Sequence, residues 1–167
     1  MNLLDANDQP GQHAPSWYAA TADPGPLRPA LQGETHCDIC VIGAGFTGLA
    51  AAYTLARAGY DVGVLEAQRV GFGASGRCGG LIGSGQRKDV LEMEHLYGPE
   101  RSRVLWDFAE AAKEEIRSRV KKHDIQCDLQ KGQLVGVHKR SYCDWPEELA
   151  EALAERYDYP HCRALDA

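Results

Sequence analysis

Val41-Ile42-Gly43-Ala44-Gly45-Phe46-Thr47-Gly48 joins the end of an apolar run to three glycines in G-x-G-x-x-G spacing. The run from Ile39 to Ile42 suits a buried strand covered on both faces. Each glycine answers a separate need. Gly43 permits a sharp turn, Gly45 lets backbone come close to a pyrophosphate, and Gly48 lets the following helix pack tightly on the strand. Leu49 to Ala58 is rich in alanine and leucine and predicts a helix. Gly59 sits where a helix-terminating glycine belongs. Val62 to Leu65 reads as a second short strand, closed by Glu66, which lies 23 residues past Gly43. An acid about 20 residues beyond the first glycine is the ribose-binding group of a dinucleotide fold. Strand, turn, helix, strand and acid therefore predict a dinucleotide-binding βαβ unit, with the helix N-terminus drawing a phosphate. The competing reading is a glycine-tolerant α/β turn that binds nothing.

A second glycine-rich stretch follows, Val70-Gly71-Phe72-Gly73-Ala74-Ser75-Gly76-Arg77-Cys78-Gly79-Gly80. So many glycines are hard to place in a core. Such a loop can lay backbone N–H groups against a ligand, and Ser75 and Arg77 add a hydroxyl and a fixed cationic fork. Without a ligand it would be a mobile linker.

These two motifs together resemble the FAD-dependent amine and amino-acid oxidases of the D-amino-acid oxidase-like group, to which glycine oxidase and sarcosine oxidase belong. Ser16-Trp17-Tyr18-Ala19-Ala20 and Ile125-Gln126-Cys127-Asp128-Leu129 resemble the gamma-glutamylputrescine oxidase subgroup. The likeness runs over nearly the whole chain. It implies FAD as cofactor, with Gly43, Ala44, Gly45, Phe46, Thr47 and Gly48 on the pyrophosphate and Glu66 on the adenosine ribose. It further implies that Ala74, Ser75, Gly76, Arg77, Gly79 and Gly80 line the segment from pyrophosphate to flavin. Cys78 stands where the subgroup usually has asparagine, so a polar contact near the flavin is altered there. The resemblance also implies a small amine or amino acid as substrate. It points to no catalytic acid or base in this sequence.

The 167 residues are 44% hydrophobic and 25% charged, a globular balance. A net charge of −6 argues against a general nucleic-acid surface. Residues 1–10 lack the basic and apolar regions of a secretory signal, and no run is long enough to cross a membrane. A cytoplasmic protein is expected. Cys37 and Cys40 have C-x-x-C spacing beside His36, but no second ligand pair accompanies them, so no metal site is expected. No Ser-His-Asp order, P-loop or H-E-x-x-H occurs.

Residues 1–35, with five prolines, read as an irregular arm in which Trp17 and Tyr18 pin the segment to the domain. Gln86 to Tyr97 suggests a short helix. Gly98-Pro99-Glu100 opens a clearer one. Its apolar stripe is Val104, Leu105, Phe108, Ala109, Ala112, Ile116 and Val120, with Trp106 off it. Ile125, Cys127 and Leu129 alternate with polar residues, Lys131-Gly132 turns, and Leu134 to Val137 returns, which predicts a hairpin. Asp144 and Glu147 suggest a capping box for a last helix.

The expected fold class is α/β: an incomplete FAD-binding Rossmann-type βαβ unit, then helices and the start of a second α+β substrate domain. The arm covers 1–35, the FAD-binding part 36–123, and the beginning of a truncated substrate domain 124–167. Two strands cannot complete a doubly wound sheet. An N-terminal fragment that holds FAD weakly or not at all alone is therefore expected. A nicotinamide-dependent dehydrogenase and an inactive remnant are the alternatives, and the oligomeric state is left open.

Overall fold

The structure is a computed structural model that describes residues 9–165. It is a mixture of helices and a small parallel sheet, divided into two compact units, Met1–Leu81 and Ile82–Ala167. The division falls inside residues 36–123.

The first unit is built on β1 (Ile39–Ile42), α2 (Phe46–Arg57) and β2 (Val62–Leu65), with a short helix α1 (Trp17–Thr21) ahead of them. β1 and β2 pair in parallel, Ile39 opposite Val62 and Ile42 opposite Leu65. β-branched residues favour the pleat, and a parallel pair needs a crossover helix, which α2 supplies. The ladder continues past β1, where Gly43 N–H donates to Leu65 O at 2.7 Å. Helix α2 ends as expected: Gly59 takes φ +95°, its N–H donates to Ala56 O, and Tyr60 N–H donates to Leu55 O. These two bonds satisfy the last carbonyls in a Schellman arrangement.

The expectation that β1 is covered on both faces is corrected. Ile42 is 86% exposed, and Val64 and Leu65 are exposed as well. A two-stranded sheet with one helix cannot cover four strand surfaces. The arm is also less irregular than its prolines suggest. Residues 1–8 of it lie outside the described residues, but α1 forms within it. Its cap is the Ser16 hydroxyl, which accepts from Ala19 N–H at 3.2 Å. Tyr18 pins the arm, whereas Trp17 stays exposed.

The second unit packs α3 (Val90–Tyr97), α4 (Pro99–Lys122) and α5 (Trp145–Tyr157) around Val90, Trp106, Ala152, Leu153 and Tyr157. Asp89 ties two helix starts together. Its carboxylate accepts from Glu92 N–H at 2.9 Å, capping α3, and from the Trp145 indole N–H at 2.8 Å. Trp106 meets Tyr157 and Tyr159 edge-on, with ring centroids 5.3 and 5.2 Å apart.

Three expectations fail in this unit. The stripe of α4 faces the core only in part: Leu105, Ala109 and Val120 are half-buried, but Val104, Phe108 and Ile116 are exposed, while Ser102, Trp106 and Lys113 are buried. The wide indole of Trp106 needs small or slender neighbours on its own face. Ser102 folds back to Gly98 O, and Lys113 lays its stem there while its ammonium reaches Ser84 Oγ and Glu110. The hairpin over 125–137 is also absent. No strand forms there, and Leu134 and Val135 are exposed, because alternation without a surface to cover gains nothing. Finally, Asp144 precedes α5 but makes no side-chain cap, since its own backbone is already helical (φ −87°, ψ −14°).

The Tyr157 hydroxyl donates to Glu94 Oε1 at 3.0 Å. Burial, with the Glu94 carboxylate second, pushes it up to about 12.

Candidate functional site

The sequence-predicted residues converge in the first unit. The turn after β1 is shaped by glycines in the way proposed for two of them. Gly43 takes φ +101°, a left-handed conformation, and nothing lies within 4 Å of where its Cβ would be. A Cβ at Gly48 would lie 2.0 Å from Gly43 O and 3.2 Å from Val41 Cγ1, so only glycine allows α2 to start this close to the strand. Beside Gly45 the neighbour is a side chain of the same unit: Ser75 Oγ lies 2.9 Å from the position a Cβ would take.

Four hydrogen bonds fuse this turn to the rest of the site. Glu66 Oε2 accepts from Ala44 N–H at 2.7 Å, and Glu66 Oε1 accepts from Gln68 N–H at 3.0 Å. Ser75 Oγ accepts from Phe46 N–H at 2.9 Å, at the first residue of α2. Gly71 N–H donates to Ala44 O at 2.9 Å. Glu66, Ala44, Phe46 and Ser75 thus form one continuous platform, in which Ala44 is buried.

The residues of this platform suit a diphosphate-bearing nucleotide. The carboxylate of Glu66 is oriented by two backbone donors and keeps acceptor lone pairs for sugar hydroxyls. The Ser75 hydroxyl, while accepting from Phe46 N–H, keeps its own proton to donate. The start of α2 carries the positive end of a twelve-residue helix, with no acidic residue in its first turn to oppose an anion. Thr47 is exposed on that turn.

The remaining predicted residues extend the platform. Ala74–Arg77 forms a single turn of 3-10 helix, the Arg77 guanidinium lies 5.8 Å from the Phe72 ring centroid, and Cys78, Gly79 and Gly80 follow, all exposed. Tyr18, expected to pin the arm, does so by donating to Gly79 O. Two features escaped the sequence reading. Gln68 meets Glu66. The second is a pattern. Gly71, Gly73 and Gly76 repeat the spacing of Gly43, Gly45 and Gly48, and the structure repeats the contact: a Cβ at Gly76 would lie 2.0 Å from Gly71 O. That signal was present in the sequence.

Among the described residues, no three His, Cys, Asp or Glu side chains are grouped to hold a metal ion, and no helix is long and apolar enough to cross a membrane. All six cysteines are free thiols.

A parallel βαβ unit with a glycine turn, an acid at the end of its second strand and a second glycine loop on the same platform defines a class of nucleotide-dependent redox proteins. Comparison with known proteins makes that more specific: the chain belongs to the DAO family of FAD dependent oxidoreductases, which matches residues 38–167. It is similar to a probable oxidoreductase OrdL of Rhizobium meliloti, 42% identical over 151 residues, 90% of this chain and 35% of that protein. It is also similar to the gamma-glutamylputrescine oxidoreductase of Escherichia coli, 40% identical over 156 residues, 93% of this chain and 36% of that protein. The chain thus spans about a third of the length of these relatives. No solved structure shows a significant match.

Proposed function

We propose that this chain supplies the FAD-binding part of an oxidase or dehydrogenase acting on the CH–NH or CH–NH2 group of a small amine or amino acid. The observation that carries the reading is the hydrogen bond from Ala44 N–H to the Glu66 carboxylate. It joins the glycine turn to the acid that the motif requires, on one surface. In this reading the Gly43–Gly48 turn holds the pyrophosphate, Glu66 holds the adenosine ribose, and Ala74–Gly80 lines the segment toward the flavin. Bound FAD would accept hydride from the amine carbon, and the resulting imine would hydrolyse in water. The chain's own residues bind and orient. The amine named for the Escherichia coli relative supports the substrate class, and membership of an FAD-dependent family favours flavin over a nicotinamide cofactor.

The test is a titration of the 167-residue chain with FAD and, separately, NAD, followed by flavin and tryptophan fluorescence. Weak, saturable binding of FAD and none of NAD is expected, because two strands leave the sheet incomplete. Glu66→Gln keeps the shape but replaces a carboxylate acceptor by an amide, which weakens FAD binding by about tenfold or more. Saturable binding of NAD and not of FAD, or a Glu66→Gln titration that overlays a saturating original, would overturn the assignment.

A further inference from the structure

The segment ahead of β1 is tied to the loop after β2 at several separate points, all within the first unit. Gly11 N–H donates to Gln68 Oε1 at 2.7 Å. Arg69 Nη2 donates to Gly25 O at 3.0 Å. The His13 and Phe72 rings lie 6.4 Å apart. The Tyr18 hydroxyl donates to Gly79 O at 3.0 Å, and Tyr18 Cε1 lies 4.0 Å from where a Gly80 Cβ would be. The loop partners, residues 68, 69, 72, 79 and 80, run from just before the second glycine stretch to its end.

Five glycines between 71 and 80 make this the stretch with the greatest conformational freedom to lose. A ligand that had to order it alone would bind correspondingly less tightly. The Tyr18 bond bears directly on this. In a trans peptide the carbonyl of one residue and the N–H of the next point in opposite directions. No cis peptide is present among the described residues. Holding Gly79 O therefore fixes the direction of Gly80 N–H. Helix α1, capped by Ser16, presents Tyr18 for this bond and leaves Trp17 on its outside, 76% exposed.

We infer that residues 9–25 are a clasp on the second glycine loop and that Tyr18 is a positioning residue, acting through the Gly79–Gly80 peptide on the flavin end of the site. The inference rests on the FAD reading above for its ligand, but the clasp itself is measurable without one.

The test uses the whole chain, as Tyr18→Phe and, for control, Trp17→Ala. Hydrogen exchange without ligand is expected to be three- to tenfold faster in residues 76–80 of Tyr18→Phe and unchanged in β1 and α2. The Kd for FAD rises by a similar factor, while the Kd for ADP, which lacks the flavin end, stays the same. Trp17→Ala changes none of these. Unchanged exchange in 76–80, or FAD and ADP weakened together, overturns the inference. If the original chain binds neither FAD nor ADP, the positioning role is dropped. The clasp is then accepted or rejected on exchange alone.

Discussion

Gly48→Ala sets two physical effects against each other with opposite signs. Gly48 lies within α2, where alanine is intrinsically the better helix former by about 1 kcal/mol. On propensity alone the substitution stabilises. The structure predicts the reverse. The new methyl carbon would sit 2.0 Å from Gly43 O, 3.1 Å from Gly43 C and 3.2 Å from Val41 Cγ1. The first distance is more than about 1 Å short of an ordinary C···O contact. It is also a contact with backbone, which no rotamer change relieves. Overpacking of this kind costs about 3 kcal/mol at the upper end of its usual range. Net of the propensity gain, α2 should lose about 2 kcal/mol of its anchorage to β1, or roughly a thirtyfold shift in its opening equilibrium. The assay is hydrogen exchange of the α2 amides, alongside the urea midpoint by circular dichroism. Exchange in Leu49–Arg57 should accelerate by about that factor. Gly136→Ala is the control: no atom lies within 4 Å of its Cβ position and its φ is not positive, so exchange there should hardly move. Equal or slower exchange of α2 in Gly48→Ala would refute the close-approach argument and restore propensity as the deciding term.

Two further predictions concern the second unit. Trp106→Ala should cost about 3–5 kcal/mol and lower the urea midpoint of the unit, whereas Phe108→Ala, at a site 71% exposed, should cost about 0.5 kcal/mol or less; comparable losses would show that the sequence stripe and not Trp106 faces the core. Stability should also fall at alkaline pH. The folded Tyr157 hydroxyl is raised to about 12 from an ordinary value near 10, so the folded state holds a proton that the unfolded state gives up. Its contribution is complete below pH 10 and is lost as pH rises through about 12. Tyr157→Phe should flatten the dependence of the urea midpoint on pH across that window, and an undiminished slope would assign the loss to other groups.

What the sequence made legible was local. The β1–α2–β2 order, the Gly59 terminator and the proximity of Glu66 to the first turn each depend on a few adjacent residues or on a short, fixed motif. The errors lie where burial depends on partners far away in sequence. Val104, Phe108 and Ile116 have the right period for a core face, but period does not say which surface faces them. Trp106 takes the core because Tyr157 and Tyr159, over fifty residues later, arrive to meet it. The alternation at 125–137 failed for the same reason: a pleat needs a face to cover. At the site, the Ser75 bond to Phe46 was out of reach because it joins the start of α2 to a turn 29 residues away. The repeated glycine spacing at 71, 73 and 76 was within reach, since it needs only the comparison of one turn with the other.

The construction of the site explains why its signature is mostly an absence of side chains. Its contacts to itself are made by main-chain groups: Ala44 N–H, Phe46 N–H, Gln68 N–H and Ala44 O meet only one carboxylate, one hydroxyl and one further amide. A surface of that kind depends on backbone direction, so its most restrictive positions are Gly43 and Gly71, where a positive φ disfavours a side chain, and Gly48 and Gly76, where a 2.0 Å approach to backbone excludes one. Cys78 is different. Its backbone is extended, with φ −67° and ψ 146°, a conformation open to any residue. The asparagine that the family resemblance implies here and the cysteine present therefore permit the same loop path and differ only in what the side chain offers. The platform at Gly43–Gly48 and Glu66 is indifferent to that exchange, because no bond that builds it passes through residue 78. On the FAD reading proposed above, a change at 78 acts at the flavin end, whereas a change at 48 or 76 decides whether the two turns can form.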